Sequence, residues 1–268
     1  MTDEGFPQDR IDTTRPHPAR IYDYLLGGED NYEVDREAAE RLAQLPDALA
    51  SIRENRDFLR RATRRVVRRG VRQIIDIGTG IPTSPNTHEV ARAIAPDVRV
   101  AYVDNDPIVG AYAGATLTRA GDTGFVLADI REPRAILEHP VVDRLIDFRE
   151  PVALLLVAVL HFLDDADDPA GVVADLVRPL PPGSCLVISH GTGDFHEPEV
   201  LRRGMEIYRR ATAAFHPRGH DEVVAFFDGF DLLDPGVVQA SRWEPETPGE
   251  PPEELRRVGL YAGVGVRG

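Results

Sequence analysis

The chain has 268 residues, enough for one large α/β domain or one domain with a small cap. A hydrophobic share of 42% and a charged share of 28% suit a globular protein with a packed core. The formal net charge of -14 repels phosphate backbones and argues against nucleic-acid binding, and the absence of lysine excludes a Schiff-base lysine and a P-loop lysine.

Residues 1–17 read as a flexible lead, polar and acidic at its start, with no basic flank or apolar run to make a signal peptide. Helical signals dominate 18–70. The segment from Tyr22 reads as a short helix ended by Gly27 and Gly28. A second helix covers 34–45, where Pro46 stops it. In a third, over 48–69, Ile52, Leu59, Ala62 and Val66 recur at helical spacing before Gly70. This region is expected to be a helical cap. Its stretch 22–32, rich in aromatic and glycine residues, is expected to act as a lid on a ligand. The alternative is a plain helix with two core tyrosines.

From 71 to 268 a second pattern takes over. Short β-branched runs at 73–77, 98–103, 124–128, 152–157 and 184–189 alternate with helical stretches at 88–95, 107–119 and 169–177. The strands lack polar alternation, so a mostly parallel sheet covered on both faces is expected. The longest apolar stretch, 151–163, is too short to span a bilayer. The single cysteine, Cys185, falls within a strand and leaves no internal disulfide or zinc cluster. A cytoplasmic location follows as the expectation. Farther on, a helix covers 198–214. Another covers 220–227, followed by 230–233. After a proline-rich loop at 244–252, a final strand covers 258–266.

The most informative segment is Asp76-Ile77-Gly78-Thr79-Gly80, directly after the first of these strands. Glycine there allows a sharp turn and lets a ligand touch the main chain. A turn without a ligand is the plainer reading. Asp76 sharpens the choice: a carboxylate would repel a dinucleotide's pyrophosphate but suits the amino group and sulfonium of S-adenosylmethionine. The third glycine of the dinucleotide pattern is also replaced, by Thr83. Asp104 ends the second strand, where an acidic residue grips the ribose hydroxyls of an adenosine cofactor. Its competing role is a cap for the helix near Pro107. Asp129 ends the third strand and can accept from the adenine amino group while Ile130 packs on the ring. It too could be a helix cap.

These motifs, with Val103-Asp104-Asn105-Asp106-Pro107, resemble class I S-adenosylmethionine-dependent methyltransferases. The run from Ala19 to Gly28, the turn 76–83, the run from Val152 to Phe162 and the segment Phe226-Phe227-Asp228-Gly229-Phe230 are similar to an actinobacterial family. It was first catalogued as a domain of unknown function and is now called the S-adenosyl methyltransferase family. The resemblance extends from Arg15 over nearly the whole chain. It implies a Rossmann-like α/β fold with a seven-stranded, mostly parallel sheet, an antiparallel last strand and a helical N-terminal cap near the cofactor. The implied cofactor residues are Tyr22, Asn31, Asp76, Gly78, Thr79, Gly80, Asp104, Asn105, Asp129, Ile130 and Ala158. The implied activity is methyl transfer from S-adenosylmethionine to a small molecule, with S-adenosylhomocysteine as product. A sensor that binds S-adenosylmethionine without transfer, and a nicotinamide-dependent oxidoreductase, are the competing readings.

His161 follows the fourth strand and is the one candidate catalytic residue, as a general base or an orienting group; a structural histidine is the alternative. Asp164, Asp165, Asp167 and Asp168 could bind a divalent cation, but an acidic loop capping the next helix is expected instead. The arginines of 53–69 are expected to form a solvated or ion-paired face and not an RNA surface. No metal site and no membrane partner are expected.

Overall fold

The computed structural model describes residues 12–116, 121–246 and 249–268. Residues 1–11 of the expected lead, the end of the helix read over 107–119 and two residues of the proline-rich loop lie outside the described residues. Among the described residues no helix is long and apolar enough to cross a membrane.

The strands are β1 (Gln73–Ile77), β2 (Arg99–Asp104), β3 (Thr123–Leu127), β4 (Ala153–Val157), β5 (Cys185–Gly191), β6 (Phe230–Leu232), β7 (Val238–Gln239) and β8 (Leu260–Arg267). They form one sheet in the order β3-β2-β1-β4-β5-β8-β6, with β7 paired to β8. The first five are parallel. β8 runs antiparallel to β5, β6 and β7. Seven strands thus form the continuous path, as the resemblance implied, and the two-residue β7 adds an eighth. The segment read with helix 220–227 turns out to be edge strand β6, because Gly229 takes a φ of +77° and breaks the chain direction.

Both faces of the sheet are covered, which explains the missing polar alternation. Ile75, Ile77, Leu154 and Leu156 pack with Val142, Leu145, Val173 and Leu176. Ile74, Ala153 and Leu155 point the other way and pack with Phe58, Leu59, Ala62 and Val66. Those last four belong to α3 (Ala48–Arg68), which shares its face with α4 (Thr87–Arg92) and α5 (Pro107–Thr116). The opposite face carries α6 (Pro133–Leu137), α7 (Pro140–Leu145), α8 (Pro169–Val177) and α10 (His220–Ala225); α9 (Pro198–Tyr208), which precedes α10 along the chain, packs elsewhere. The periodicity did not reveal α6 and α7. Each is only about one turn long and is marked solely by its N-terminal proline.

The cap differs in composition from the expected span 18–70. α1 (Pro18–Leu25) and α2 (Glu33–Ala43) bury Ile21, Leu25, Ala39 and Leu42 against Val200, Ile207 and Tyr208 of α9. α3 instead packs much of its length on the sheet. α9 also stops short of the expected 214: after Tyr208 the chain folds back, and the His216 N–H donates to the His161 carbonyl at 2.8 Å.

A buried ion pair fixes the cap to the sheet. Arg20 Nε donates to Asp106 Oδ2 at 2.9 Å and Nη2 to Oδ1 at 3.3 Å. The Arg20 side chain is 2% exposed and that of Asp106 0%. Asp106 Oδ1 also accepts from the Ile108 N–H at 3.0 Å, so Asp106 caps α5 and Asp104 does not. Arg20→Met leaves a buried carboxylate without its counter-charge, and should cost about 3–5 kcal/mol in urea unfolding. Adding Asp106→Asn, which keeps the cap but removes the charge, should recover more than half of that loss.

Candidate functional site

A cavity of about 490 Å³ opens at the carboxyl ends of the parallel strands. It lies at the point where the winding reverses: β1 leads to β2 and β3 on one side, and β4 and β5 lie on the other. Open α/β sheets leave a crevice at such a point. α1 and α3 close it from above, through Pro18, Ala19, Tyr22, Ile52, Asn55 and Arg56.

The glycine turn forms the floor. Gly78 N–H and Thr79 N–H both donate to the Val103 carbonyl, at 2.8 and 3.2 Å, pinning the turn to β2. The two glycines serve different needs. Gly78 has φ +74°, and a Cβ there would stand 2.7 Å from Val159. Gly80 has φ +65°, and a Cβ there would meet nothing within 4 Å, although Gly80 lines the cavity. The first glycine is required by packing, and the second keeps the cavity clear.

Asp104 accepts from the Gly80 N–H at 2.8 Å and from the Asp106 N–H at 3.0 Å. Burial pushes its carboxyl up to about 6, against the pull of those donors. Asp76 accepts from the Thr87 hydroxyl at 2.6 Å, and burial pushes it up to about 6 as well. Arg56 stands near Asp76 and favours its charged form. Arg56 Nη2 donates to the carbonyls of Thr83 at 2.7 Å and Pro85 at 3.3 Å, while its Nε is buried without a partner.

Asp129 takes the Arg131 N–H at 2.9 Å, the Arg131 guanidinium at 3.0 Å and the Asn105 amide at 3.1 Å. It is not a helix cap, since Glu132 occupies that position for α6. Ile130 is buried in the wall beside it. Ala158 has φ +55°, and its N–H donates to the Ser189 carbonyl at 3.1 Å and hydroxyl at 3.0 Å. From there a hydrogen-bond chain crosses the cavity wall. The Ser189 hydroxyl donates to Asn55 Oδ1 at 2.5 Å, Asn55 Nδ2 donates to the Tyr22 hydroxyl at 3.0 Å, and Tyr22 donates to the Ile52 carbonyl at 3.0 Å. Burial pushes Tyr22 up to about 12, so it stays protonated.

His161 lies in the 3-10 turn Leu160–Phe162 and lines the cavity. Its Nδ1 accepts from the Gly191 N–H at 3.0 Å, which places the ring proton on Nε2. Burial, then the proximity of His190 and Arg218, holds it well below the usual imidazole range. His190 Nδ1 donates to the Gly191 carbonyl at 2.8 Å, and its Nε2 accepts from Arg218 at 3.2 Å. Arg218 also donates to the Leu160 and Leu163 carbonyls at 3.2 and 3.1 Å and to Asp165 at 3.0 Å. The turn carrying His161 is therefore held from behind by a buried guanidinium.

The cavity brings together Tyr22, Asp76, Gly78, Thr79, Gly80, Asp104, Asn105, Asp129, Ile130, Ala158 and His161. Asn31 is not part of its lining. The Asn31 amide donates to Asp23 at 2.8 Å and the Gly28 carbonyl at 3.1 Å, tying the α1–α2 link. Asn55, Ser189 and Arg218 escaped the sequence reading, and Arg56, expected on the solvated or ion-paired arginine face, lines the cavity instead. A signal existed for two of them: Asn55 and Arg56 fall between Ile52 and Leu59 on the apolar stripe of α3, where a polar side chain stands out.

The acidic loop performs local structural work. Asp164 caps the turn after it, Asp168 caps α8, and Asp167 pairs with Arg131 at 3.0 Å. Among the described residues no group of three or more His, Cys, Asp or Glu is arranged to hold a metal. On the arginine face of α3, four side chains are ion-paired, as Arg60–Asp57, Arg61–Glu54, Arg64–Glu246 and Arg65–Glu244.

Three findings relate this chain to known proteins. The profile of the S-adenosyl methyltransferase family matches residues 4–268. A DUF574 family protein from Streptomyces avermitilis MA-4680 is 40% identical, with a TM-score of 0.91, over 97% of this chain and 100% of that one. A protein of Thermobifida fusca YX, to which methyltransferase activity has been ascribed, is 37% identical, with a TM-score of 0.89, over 98% of each chain. No curated protein matches the chain.

Proposed function

The chain belongs to the S-adenosyl methyltransferase family and is an S-adenosylmethionine-dependent methyltransferase, and from that premise we propose that its acceptor is a small molecule bound in the cavity beside the methyl donor. The observation that carries this reading is the cavity itself: about 490 Å³, roofed by α1 and α3 and running on from the glycine turn to the His161 turn. That space suits small ligands. Nothing favours a sensor that binds the cofactor without transfer. The single, buried thiol agrees with a cytoplasmic location, and the Streptomyces and Thermobifida relatives agree with an actinobacterial source.

The residues fit S-adenosylmethionine on three counts. Gly80 leaves open space where a side chain would stand. Asp76 and Asp104 are buried carboxylates facing that space. Arg56 has an unpartnered buried Nε beside Asp76. In our assignment Asp104 holds the ribose hydroxyls, while Asp129 and Ile130 hold the adenine. Asp76 and Arg56 receive the amino and carboxylate groups of the methionine end. When bound, the cofactor supplies an electrophilic methyl group. The protein supplies positioning and exclusion of water. His161 offers an N–H from Nε2 to orient the acceptor. It is a poor general base, because Nδ1 is engaged and its basicity is depressed. The lid role falls to α1, whose inner face lines the cavity.

Calorimetric titration should show S-adenosylhomocysteine binding in preference to NAD, with Asp104→Ala weakening it roughly 10- to 100-fold. Preferential NAD binding, or an unchanged affinity in a folded Asp104→Ala protein, would overturn the assignment.

Arg56→Gln should weaken S-adenosylhomocysteine by about tenfold, the scale of one charge-assisted contact. It should leave 5′-methylthioadenosine, which lacks the amino-acid end, within about twofold. Equal losses for both ligands would remove Arg56 from the carboxylate.

Asp76 and Asp104 stand at about 6 in the free protein. A ligand that favours their ionised forms lowers both values and releases protons on binding. Affinity for S-adenosylhomocysteine should therefore rise as pH rises through about 6 and level off above it. Titrations in buffers of different ionisation enthalpy check this, and a flat profile from about pH 5 to about pH 7 would contradict it.

A further inference from the structure

We propose that the acceptor is a planar aromatic hydroxyl compound without formal charge, seated among the rings of Phe162, Tyr208 and Phe215 with its oxygen at His161 Nε2 and the Tyr208 hydroxyl. This rests on the methyl-transfer reading above and adds the substrate class.

Past β1 the cavity continues over the ends of β4, β5 and β8. Four rings line it there. His161 lies 4.5 Å from Phe162 and 5.2 Å from Phe215, centroid to centroid, while Tyr208 lies 5.5 Å from Phe162 and 5.8 Å from Phe215. They come from two segments, the turn after β4 and the end of α9 with the fold-back after it, joined by the His216–His161 backbone bond of 2.8 Å. Flat aromatic faces select a flat aromatic ligand by stacked or edge-on contact.

The charge pattern narrows the choice. The cavity's carboxylates are Asp12, near Arg20, and Asp76, Asp104, Asp106 and Asp129 at β1, β2 and β3. The lining residues at the ends of β4, β5 and β8 include no carboxylate and no guanidinium; Arg131 reaches this part from the β3 side, donating to the Phe162 carbonyl at 3.4 Å, but it is already paired with Asp129 and Asp167, at 3.0 Å each. An alkylammonium or a carboxylate acceptor would be desolvated there without a partner.

Two polar atoms remain available. His161 Nε2 has no hydrogen-bond partner among the described residues and is not sealed from the cavity. Tyr208 lines the same space, near Tyr22, and its hydroxyl has no partner among the described residues. His161 and Tyr208 share Phe162 and Phe215 as ring neighbours, so one donor and one donor–acceptor border the same aromatic subsite, and a phenolic oxygen can use both. In the transfer, an oxygen lone pair forms the bond to the methyl carbon, and the phenol's proton passes by way of the Tyr208 hydroxyl to bulk solvent. The carbon–sulfur bond breaks with its electron pair staying on sulfur. The products are an aryl methyl ether and S-adenosylhomocysteine. His161 takes no proton, because its Nδ1 lone pair is held by the Gly191 N–H.

The test is titration of the protein saturated with S-adenosylhomocysteine, using 2-naphthol, its saturated analogue decahydro-2-naphthol, and 2-naphthoate. 2-Naphthol should bind at least about tenfold tighter than either analogue. Tyr208→Phe, with an unchanged melting temperature, should weaken 2-naphthol by about three- to tenfold while S-adenosylhomocysteine affinity stays the same. Equal affinity for the saturated analogue, tighter binding of the naphthoate, or no 2-naphthol binding to the loaded protein would overturn the aromatic subsite alone. Failure of S-adenosylhomocysteine to bind would overturn the cofactor reading and the subsite with it.

Discussion

Two carboxylates, Asp76 and Asp104, are kept out of water at the bottom of one cavity, and most of the site's construction follows from that. Each is raised to about 6 by burial. Between the ordinary value of 3.8 and about 6 the folded chain holds protons that the unfolded chain releases. These groups therefore favour folding most at low pH, and that contribution is lost as pH rises through the window. Near neutral pH both carboxylates are largely ionised while buried, and in the proposed complex a ligand with a cationic end and hydroxyl donors would offset that burial. The local donors, the Thr87 hydroxyl and the N–H groups of Gly80 and Asp106, hold the carboxylates in place and only partly offset their burial.

The rest of the framework holds the walls around those charges. The Arg20–Asp106 pair fixes α1 to the loop that carries Asp104. The chain from Ala158 through Ser189, Asn55 and Tyr22 to Ile52 ties the end of β4 to β5, α3 and α1. Arg218, behind the cavity, holds the His161 turn by two carbonyls. Every one of these links spans elements distant in sequence, so the cavity forms only once the sheet and the cap have come together. As the proposed lid, α1 is therefore latched in its closed position, and opening it to admit a ligand must break or bend around a buried ion pair.

The sheet was legible because its strands are continuous apolar runs and its first turn combines glycine with two acidic strand ends, a local pattern. Asp104 shows how a competing local role is resolved only in three dimensions: its neighbour Asp106 caps α5, which leaves Asp104 to the turn. What could not be read was long-range. Arg218 sits in a loop with no motif, and its function appears only when four separated acceptors surround it. Asn31, drawn in by resemblance, proved to be a local tie for the α1–α2 link. β6 and β7 are too short for any period to show, and β6 took its state from pairing with β8.

In the proposed arrangement the ends of β1, β2 and β3 hold the cofactor and the ends of β4, β5 and β8 hold the acceptor. A crystal structure with S-adenosylhomocysteine bound tests it most directly. The ribose hydroxyls are expected on Asp104, the amino-acid end between Asp76 and Arg56, and the sulfur facing the space beside His161. A ligand lying over the His161 and Tyr208 side, with Asp104 free of ribose contact, would contradict it.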